Sequence, residues 1–382
     1  MNHAEPSEQP QVVSPPVAAP KFYFPELDGL RFLAFMLVFV HHAPNLDLPG
    51  WSVIHDYGWV GVDLFFALSA FLFVKLLARE HERTGTISIR KFFVRRCLRI
   101  WPLYFLFCLL MLILTSVSHR GPFFSWRALG LFTFTDNIFS ACDGYNPVAY
   151  SAHLWTISYE EQFYVFIPFL LLFLFRAPRS KIVLTLSGIA LAFTLIRVIL
   201  IWLKAPHPAI WVLPVSHFES ILLGIVVGFK GFDVLFARVP AGLVLALGLV
   251  CGWFVTRLGP VDIIQWRLML SYVLIGLSTS LALYFVFRTG KARWMAWLAR
   301  GPCVFLGKIS YGLYVYHLLG LAVGWKLLHQ FGPWRTHDPA PAIIFVAALG
   351  ITVAMASASY FMLERPFLKI KERYEIVASR PA

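Results

Sequence analysis

An arginine and a histidine stand eleven residues apart in the apolar run Leu27–Ala43, LDGLRFLAFMLVFVHHA. Eleven residues are three turns of α-helix, so Arg31 and His42 share one face, about 16 Å apart along its axis. A cation and an imidazole on one stripe of an apolar helix are costly in a bilayer and mark a functional site by default. A guanidinium suits phosphate, and an imidazole that titrates near neutrality suits proton abstraction. The pair fits a diphosphate-bearing cofactor held at one end of the helix and a general base at the other. His41 is turned about 80° off that stripe, which leaves His42 as the better base. The bland alternative has Arg31 snorkelling to the headgroups against Asp28, with both histidines at the far interface.

Three further clusters carry chemistry. The run His153-Leu-Trp-Thr-Ile-Ser-Tyr-Glu160-Glu161-Gln162-Phe-Tyr164 puts two adjacent carboxylates near a helix start. There they interact well with the helix dipole, and one of them must turn into the bundle. Physics alone does not separate Glu160 from Glu161. Arg95, Arg96 and Arg99 form a basic helix face able to clamp phosphates, or simply a topogenic signal. Ser310-Tyr311-Gly-Leu-Tyr314-Val-Tyr-His317 places an imidazole about two turns inside an apolar span, one turn beyond a tyrosine. Asp63, Arg197, His217 and Glu219 are expected to line the same interior.

These residues need a bundle to hold them, and the composition supplies one. Hydrophobic residues make up 59% of the 382 and charged residues 14%, a mixture no ordinary soluble domain carries. The fold class is all-α, a polytopic transmembrane bundle. Ten spans are predicted near 27–43, 58–78, 98–117, 154–175, 182–203, 217–229, 240–256, 269–287, 309–329 and 342–362. The net charge of +13 lies in short loops between these runs rather than on an aromatic-interleaved face, which argues against a nucleic-acid partner. The loops after spans two, four, six and eight and the C-terminal segment hold most of the Lys and Arg, so both termini are expected to be cytoplasmic. His42 then lies towards the external end of span one. Residues 1–20 read as a disordered tail with no signal-peptide pattern, 21–370 as the membrane domain and 371–382 as a cytoplasmic tail. The largest external segment, 118–153, contains an amphipathic run, Trp126–Phe134, expected to lie along the interface. Its aromatics Phe123, Phe124 and Trp126, with Trp211 and Trp334, suit an interface belt better than sugar stacking. Cysteines at 97, 108, 142, 251 and 303 show no metal-ligand spacing, and no metal site is expected.

In order along the chain, these motifs resemble those of the acyltransferase family 3 proteins. Leu27-Asp28-Gly29-Leu30-Arg31 followed by His42 is similar to the family's span-one signature. Gly58-Trp59-Val60-Gly61-Val62-Asp63 through Ser69-Ala70-Phe71-Leu72 is similar to its second motif, with Ala70 where the family usually has Gly. Arg95-Arg96-x-x-Arg99-x-x-Pro102-x-Tyr104 fits the basic motif. Trp155 through Tyr164 fits the span-four motif, with Thr156 and Ile157 for the usual Ser and Leu. Ser310-Tyr311-x-x-Tyr314-x-x-His317 and Glu364-x-Pro366 close the series, which covers about residues 22–370.

The resemblance implies a membrane-bound O-acyltransferase of the bacterial inner membrane, stand-alone and without an esterase-like external domain. Acyl-CoA would be the co-substrate, with no permanently bound cofactor. The acceptor would be a hydroxyl on a glycan, lipid-linked sugar or glycosylated metabolite, and acetyl the group moved. On this reading His42 and Glu160 are catalytic, with Glu160 orienting the imidazole. Arg31, Arg95, Arg96, Arg99, Ser69, Tyr311 and His317 contact the donor. An acyl-histidine intermediate is a variant of the same scheme. A proton-coupled transporter or flippase built on Arg31, His42 and Glu160 is the rival reading. Against it, no internal repeat of the kind that marks many transporters is evident.

Overall fold

The computed structural model describes residues 22–46, 48–118, 126–259, 266–331 and 340–377. The 1–20 tail lies outside the described residues, as do Phe123, Phe124 and Trp334. What is described is helical. The first part of the chain forms α1 (Pro25–His42), the short α2 (Trp51–Tyr57), α3 (Val60–Thr84) and α4 (Ile89–Val117). The segment after α4 folds into two short helices, α5 (Trp126–Phe132) and α6 (Asp136–Asp143), before α7 (Trp155–Arg176) and α8 (Arg179–Trp202). Then come α9 (Ala209–Val212), α10 (Glu219–Gly228), α11 (Gly231–Phe236), α12 (Ala241–Leu258) and α13 (Leu268–Thr289). The chain closes with α14 (Gly301–Lys308), α15 (Ser310–Phe331), α16 (Pro341–Ser359) and α17 (Arg365–Glu372).

Each of the ten predicted spans falls on one of these helices. Seven stretches are long and apolar enough to cross a bilayer: α3, α4, α7, α8, α12, α13 and the continuous run Pro341–Glu372. An eighth is the pair α14 and α15, which meet at 78°. The remaining two predicted spans are atypical for physical reasons. α1 carries Glu26, Asp28 and Arg31 in its first two turns, and α10 has only ten residues. Leucines such as Leu184, Leu191, Leu243 and Leu249 stand exposed on the outside of α8 and α12, where a water-soluble protein would place charge.

α1 sits inside the bundle, against α3, α13, α14 and α15, and glycines permit that depth. A Cβ on Gly61 of α3 would lie 2.3 Å from the Ala34 carbonyl oxygen, and one on Gly307 of α14 would lie 1.8 Å from that of Asp28. Helices without a hydrophobic force between them associate by such close backbone approach. Thus the helix carrying Arg31 and His42 is held from two sides by residues that have no side chain.

The interior charges also find fixed places. Asp63 accepts hydrogen bonds from His217 Nε2 at 2.9 Å and Ser220 Oγ at 2.6 Å, while the His217 ring stacks on both Trp211 and Tyr272. Arg197 pairs with Glu219, and the Tyr159 hydroxyl donates to the His217 carbonyl. These buried groups join α3, α7, α8, α10 and α13 into a polar knot. Asp63, Arg197, His217 and Glu219 are thus buried in the bundle interior, apart from the wall of the arginine-rich cavity described next.

The expected amphipathic run at 126–134 is α5 and the turn after it. Trp126 and Leu129 face outward, and Ala128 and Leu131 are buried. Asn146 ties this segment together, donating to Asp136 Oδ1 at 2.6 Å and to the Arg127 carbonyl at 3.1 Å. Asn137 and Gln162 exchange hydrogen bonds of 3.1 and 2.8 Å and fasten the segment to α7.

Candidate active site

A cavity of about 1560 Å³, counting its open mouth, enters the bundle at the end that carries the basic loops. Its wall is built from five helices. α1 supplies Asp28 and Arg31, α3 supplies Ser69 and Glu80, and α4 supplies Arg95, Arg96 and Arg99. α7 contributes Thr156, Glu160 and Tyr164, and α15 contributes Ser310, Tyr311 and Tyr314. Residues 22–24 and the segment from Lys371 to Val377 frame the mouth.

The four arginines are not equivalent. Arg31 Nη1 bonds Asp28 Oδ1 at 2.9 Å, the i, i+3 pair expected from the sequence. Arg95 Nη2 bonds Glu80 Oε2 at 2.9 Å, and its Nη1 donates to the Tyr374 carbonyl at 3.0 Å. Arg96 sits over the Phe73 ring, its Cζ 4.4 Å from the centroid. Arg99 makes no ion pair among the described residues. Arg96 and Arg99 are therefore the two whose charge is least compensated by a carboxylate among the described residues.

Deeper in, Glu160 accepts from Ser69 Oγ at 3.3 Å and from Tyr164 OH at 2.9 Å. Glu161 turns the other way, towards Trp101 Nε1 at 3.4 Å. The two adjacent carboxylates thus diverge, and Glu160 is the one in the cavity wall. The innermost hydroxyls belong to Thr156 and Tyr314. Thr156 Oγ1 donates to Tyr314 OH at 2.8 Å, and Tyr314 OH lies 3.2 Å from the His153 carbonyl.

Immediately beyond that floor lie three imidazoles. His317 stands in the middle, its ring centroid 4.9 Å from that of His42 and 4.7 Å from that of His153. His317 and His153 are buried, whereas His42 is exposed at the end opposite the cavity mouth. His42 Nδ1 is 2.9 Å from the Val38 carbonyl, one turn back on α1. A carbonyl oxygen only accepts, so Nδ1 carries the proton and Nε2 keeps its lone pair, the tautomer a general base needs. His317 is fixed the same way, with Nδ1 2.5 Å from the Tyr314 carbonyl.

Most residues singled out in the sequence meet here, with two relocations. Arg31, Arg95, Arg96, Arg99, Ser69, Glu160 and Tyr311 share the cavity wall. His317, expected to contact the donor, is absent from that wall and packs on His42 instead. Glu160, expected to orient His42, bonds Ser69 and Tyr164, and the partner on His42 Nδ1 is a backbone carbonyl. His153, Thr156 and Tyr314 carried no assigned role, although each lay inside a quoted motif. His41 Nδ1 bonds the His55 carbonyl at 2.8 Å and stays a neighbour. Among the described residues no group of His, Cys, Asp or Glu is arranged to hold a metal ion.

A bundle of apolar helices around a basic cavity, with imidazoles beyond its floor, is the architecture of a multi-pass membrane protein. The chain belongs to the acyltransferase family, whose domain model, described as "Acyltransferase domain", matches residues 24–360. It is similar to proteins named "Putative O-acetyltransferase" in Staphylococcus aureus strains COL and MSSA476, at 25% identity over 91% of this chain and 58% of theirs. O-acetyltransferase OatA of Staphylococcus aureus strain NCTC 8325 is 24% identical over 91% of this chain and 57% of its own length. The chain thus spans a little over half the length of the curated relatives it matches. No solved structure matches it.

Proposed function

We propose that this domain is a membrane O-acyltransferase that moves an acyl group, acetyl by analogy with the relatives' names, from acyl-CoA to a hydroxyl. The observation that carries the reading is the arginine-lined cavity whose floor, the Thr156 and Tyr314 hydroxyls, is backed by His317 and, beyond it, by the imidazole of His42. A nucleotide thioester has the matching shape, with phosphates at one end of a narrow arm and a reactive carbonyl at the other.

On this reading the donor enters from the cytoplasm of a bacterial cell, through the inner membrane in which the bundle sits. Arg96 and Arg99, supported by Arg31, hold its phosphates. The pantetheine arm runs beside Ser69 and Glu160, which offer hydrogen-bonding groups to its amides. The acceptor hydroxyl, on a glycan, lipid-linked sugar or glycosylated metabolite, approaches from the opposite end. His42 Nε2 takes the hydroxyl proton as the oxygen attacks the thioester carbonyl, the new C–O bond forms and the C–S bond breaks. A thioester is already activated, so positioning and one base suffice.

The test uses membranes of the host cell, which contain the native acceptor, with acetyl-CoA labelled in its acetyl group. Wild-type protein is expected to move label into membrane-retained material, and His42→Ala to abolish transfer while still inserting and binding donor. Mass spectrometry of that material then names the acceptor. Near wild-type turnover in His42→Ala would sink the assignment.

A further inference from the structure

The one buried residue of α17 is a lysine. Lys371 is 8% exposed and forms part of the cavity wall at the mouth. A lysine is almost never buried without a partner, and here the ammonium pairs with Glu375 Oε1 at 2.9 Å, on the same wall. Cations from other helices fasten the segment that carries this pair. Arg95 Nη1 donates to the Tyr374 carbonyl at 3.0 Å, and Arg83 Nη1 donates to that of Ile376 at 3.3 Å. The lysine therefore stands at a fixed place on the rim. It adds positive charge to a wall that already carries Arg31, Arg95, Arg96 and Arg99, which raises their mutual repulsion. Such an arrangement suits a ligand with several negative charges spread along its length.

Resting on the acyl-transfer reading above, we infer that Lys371 binds the 3′-phosphate of the acyl-CoA donor and selects that donor over thioesters that lack it. Coenzyme A carries a diphosphate and, on the ribose at the end remote from sulfur, a separate phosphate monoester. The cations of the cavity divide the same way. Arg99 lies one turn further along α4 than Arg95, deeper in the bundle, and with Arg96 it has no carboxylate on it among the described residues. That couple matches the diphosphate. Arg31 and Arg95 are engaged by Asp28 and Glu80, carboxylates that are themselves held, by Tyr23 OH at 2.7 Å and by the Ser88 amide at 2.7 Å. Among the described cations of the wall this leaves Lys371, at the rim where a donor reaching outward ends. An ammonium is a compact charge with three rotatable donors, so it can turn from Glu375 to a phosphate monoester without a fixed plane of approach. The monoester carries up to two negative charges against the single charge of the carboxylate it displaces. Glu375 is then a placeholder that keeps the buried ammonium compensated while no donor is bound.

The test compares acetyl-CoA with acetyl-3′-dephospho-CoA, both labelled in the acetyl group, as donors in host membranes. Wild-type protein is expected to show a KM about 10- to 100-fold higher for the dephospho donor, the value of one charge-assisted contact. Its kcat should be similar with the two, because the contact is remote from the reacting carbonyl. Lys371→Gln should raise KM for acetyl-CoA by the same factor and leave KM for the dephospho donor near its wild-type value, so that the preference vanishes. Lys371→Arg should keep part of the preference. Combining Lys371→Gln with Glu375→Gln removes the stranded carboxylate as well, and the preference should stay lost. Lys369→Gln, exposed two residues away on the same helix, should behave as wild type. The inference is overturned if wild type uses both donors with equal KM. It is also overturned if Lys371→Gln keeps the discrimination or raises KM for both donors alike. If neither donor labels the membranes with wild-type protein present, the acyl-CoA reading itself fails and this site falls with it.

Discussion

Arg99 and Arg95 lie four residues apart on one helix, yet the structure gives them different work. Arg95 is already spent on Glu80 and on the carbonyl of Tyr374, so it fastens the C-terminal segment to the cavity mouth. Arg99 lines the same wall with no carboxylate on it among the described residues. A charged hydrogen bond to a phosphate is worth about 1.5–3 kcal/mol, or roughly 10- to 100-fold in affinity. Arg99→Ala is therefore expected to raise KM for acetyl-CoA by about that factor with a smaller change in kcat, measured by initial rates in host membranes. Arg95→Ala should instead loosen residues 374–377, read as faster proteolysis of the C-terminal segment. Equal kinetic effects from both would contradict the distinction. Asp136 offers a second residue-level test outside the membrane-spanning helices. Burial pushes its carboxyl up to about 6, against the partial relief of the Asn146 hydrogen bond and of Arg127. Folding thus favours its protonated form, so the stability it affects is highest at low pH, falls as pH rises from about 4 to about 6 and then levels off. Asp136→Asn should flatten that part of the thermal-unfolding profile in detergent. An unchanged profile would show that other groups set it.

At the scale of elements, α1 is the piece on which the site depends, and its depth rests on glycines. Gly307→Val would drive carbon into the Asp28 backbone, where even a Cβ has 1.8 Å. α14 would have to leave α1, shifting Asp28 and Arg31 with it. Loss of donor binding together with a lower unfolding temperature is expected, whereas Gly350→Val on α16, where nothing lies within 4 Å of an added Cβ, should do neither. The same helix shows what the sequence could and could not reveal. Spacing alone put Arg31 and His42 on one face, and the i, i+3 pairing with Asp28 follows from helical geometry. Apolar runs likewise marked the helices, because burial in lipid demands them over about 20 residues. Pairings between distant elements were not legible. Nothing local says that Glu160 meets Ser69, that Asp63 meets His217, or that His317 meets His42 and His153. Those contacts are set by how five helices pack, and the signal for them was only a set of ionisable residues too costly to be idle. His153, quoted in a motif, drew no role for the same reason: it precedes α7 in a loop, with no helical periodicity to aim it.

The molecule as a whole has a direction, with the cavity mouth and most of the basic loops at one end and His42 at the other. The proposed reaction, which takes its donor from one compartment and its acceptor from the other, needs that polarity, and on the positive-inside rule the mouth is expected to face the cytoplasm. The cysteines provide a way to check it without altering the site. Cys142, at the end of α6 in the segment between α4 and α7, is exposed. Cys108 and Cys251 are buried, and Cys97 and Cys303 are half-buried. A membrane-impermeant maleimide applied to cells whose inner membrane is intact and whose outer layers are opened should label Cys142 rapidly. Cys142→Ser should remove that signal. Labelling of Cys142 that appears only after the inner membrane is permeabilised would invert the orientation. The donor cavity would then open outward, where acyl-CoA is absent, and the cytoplasmic thioester would have to be replaced by another acyl donor.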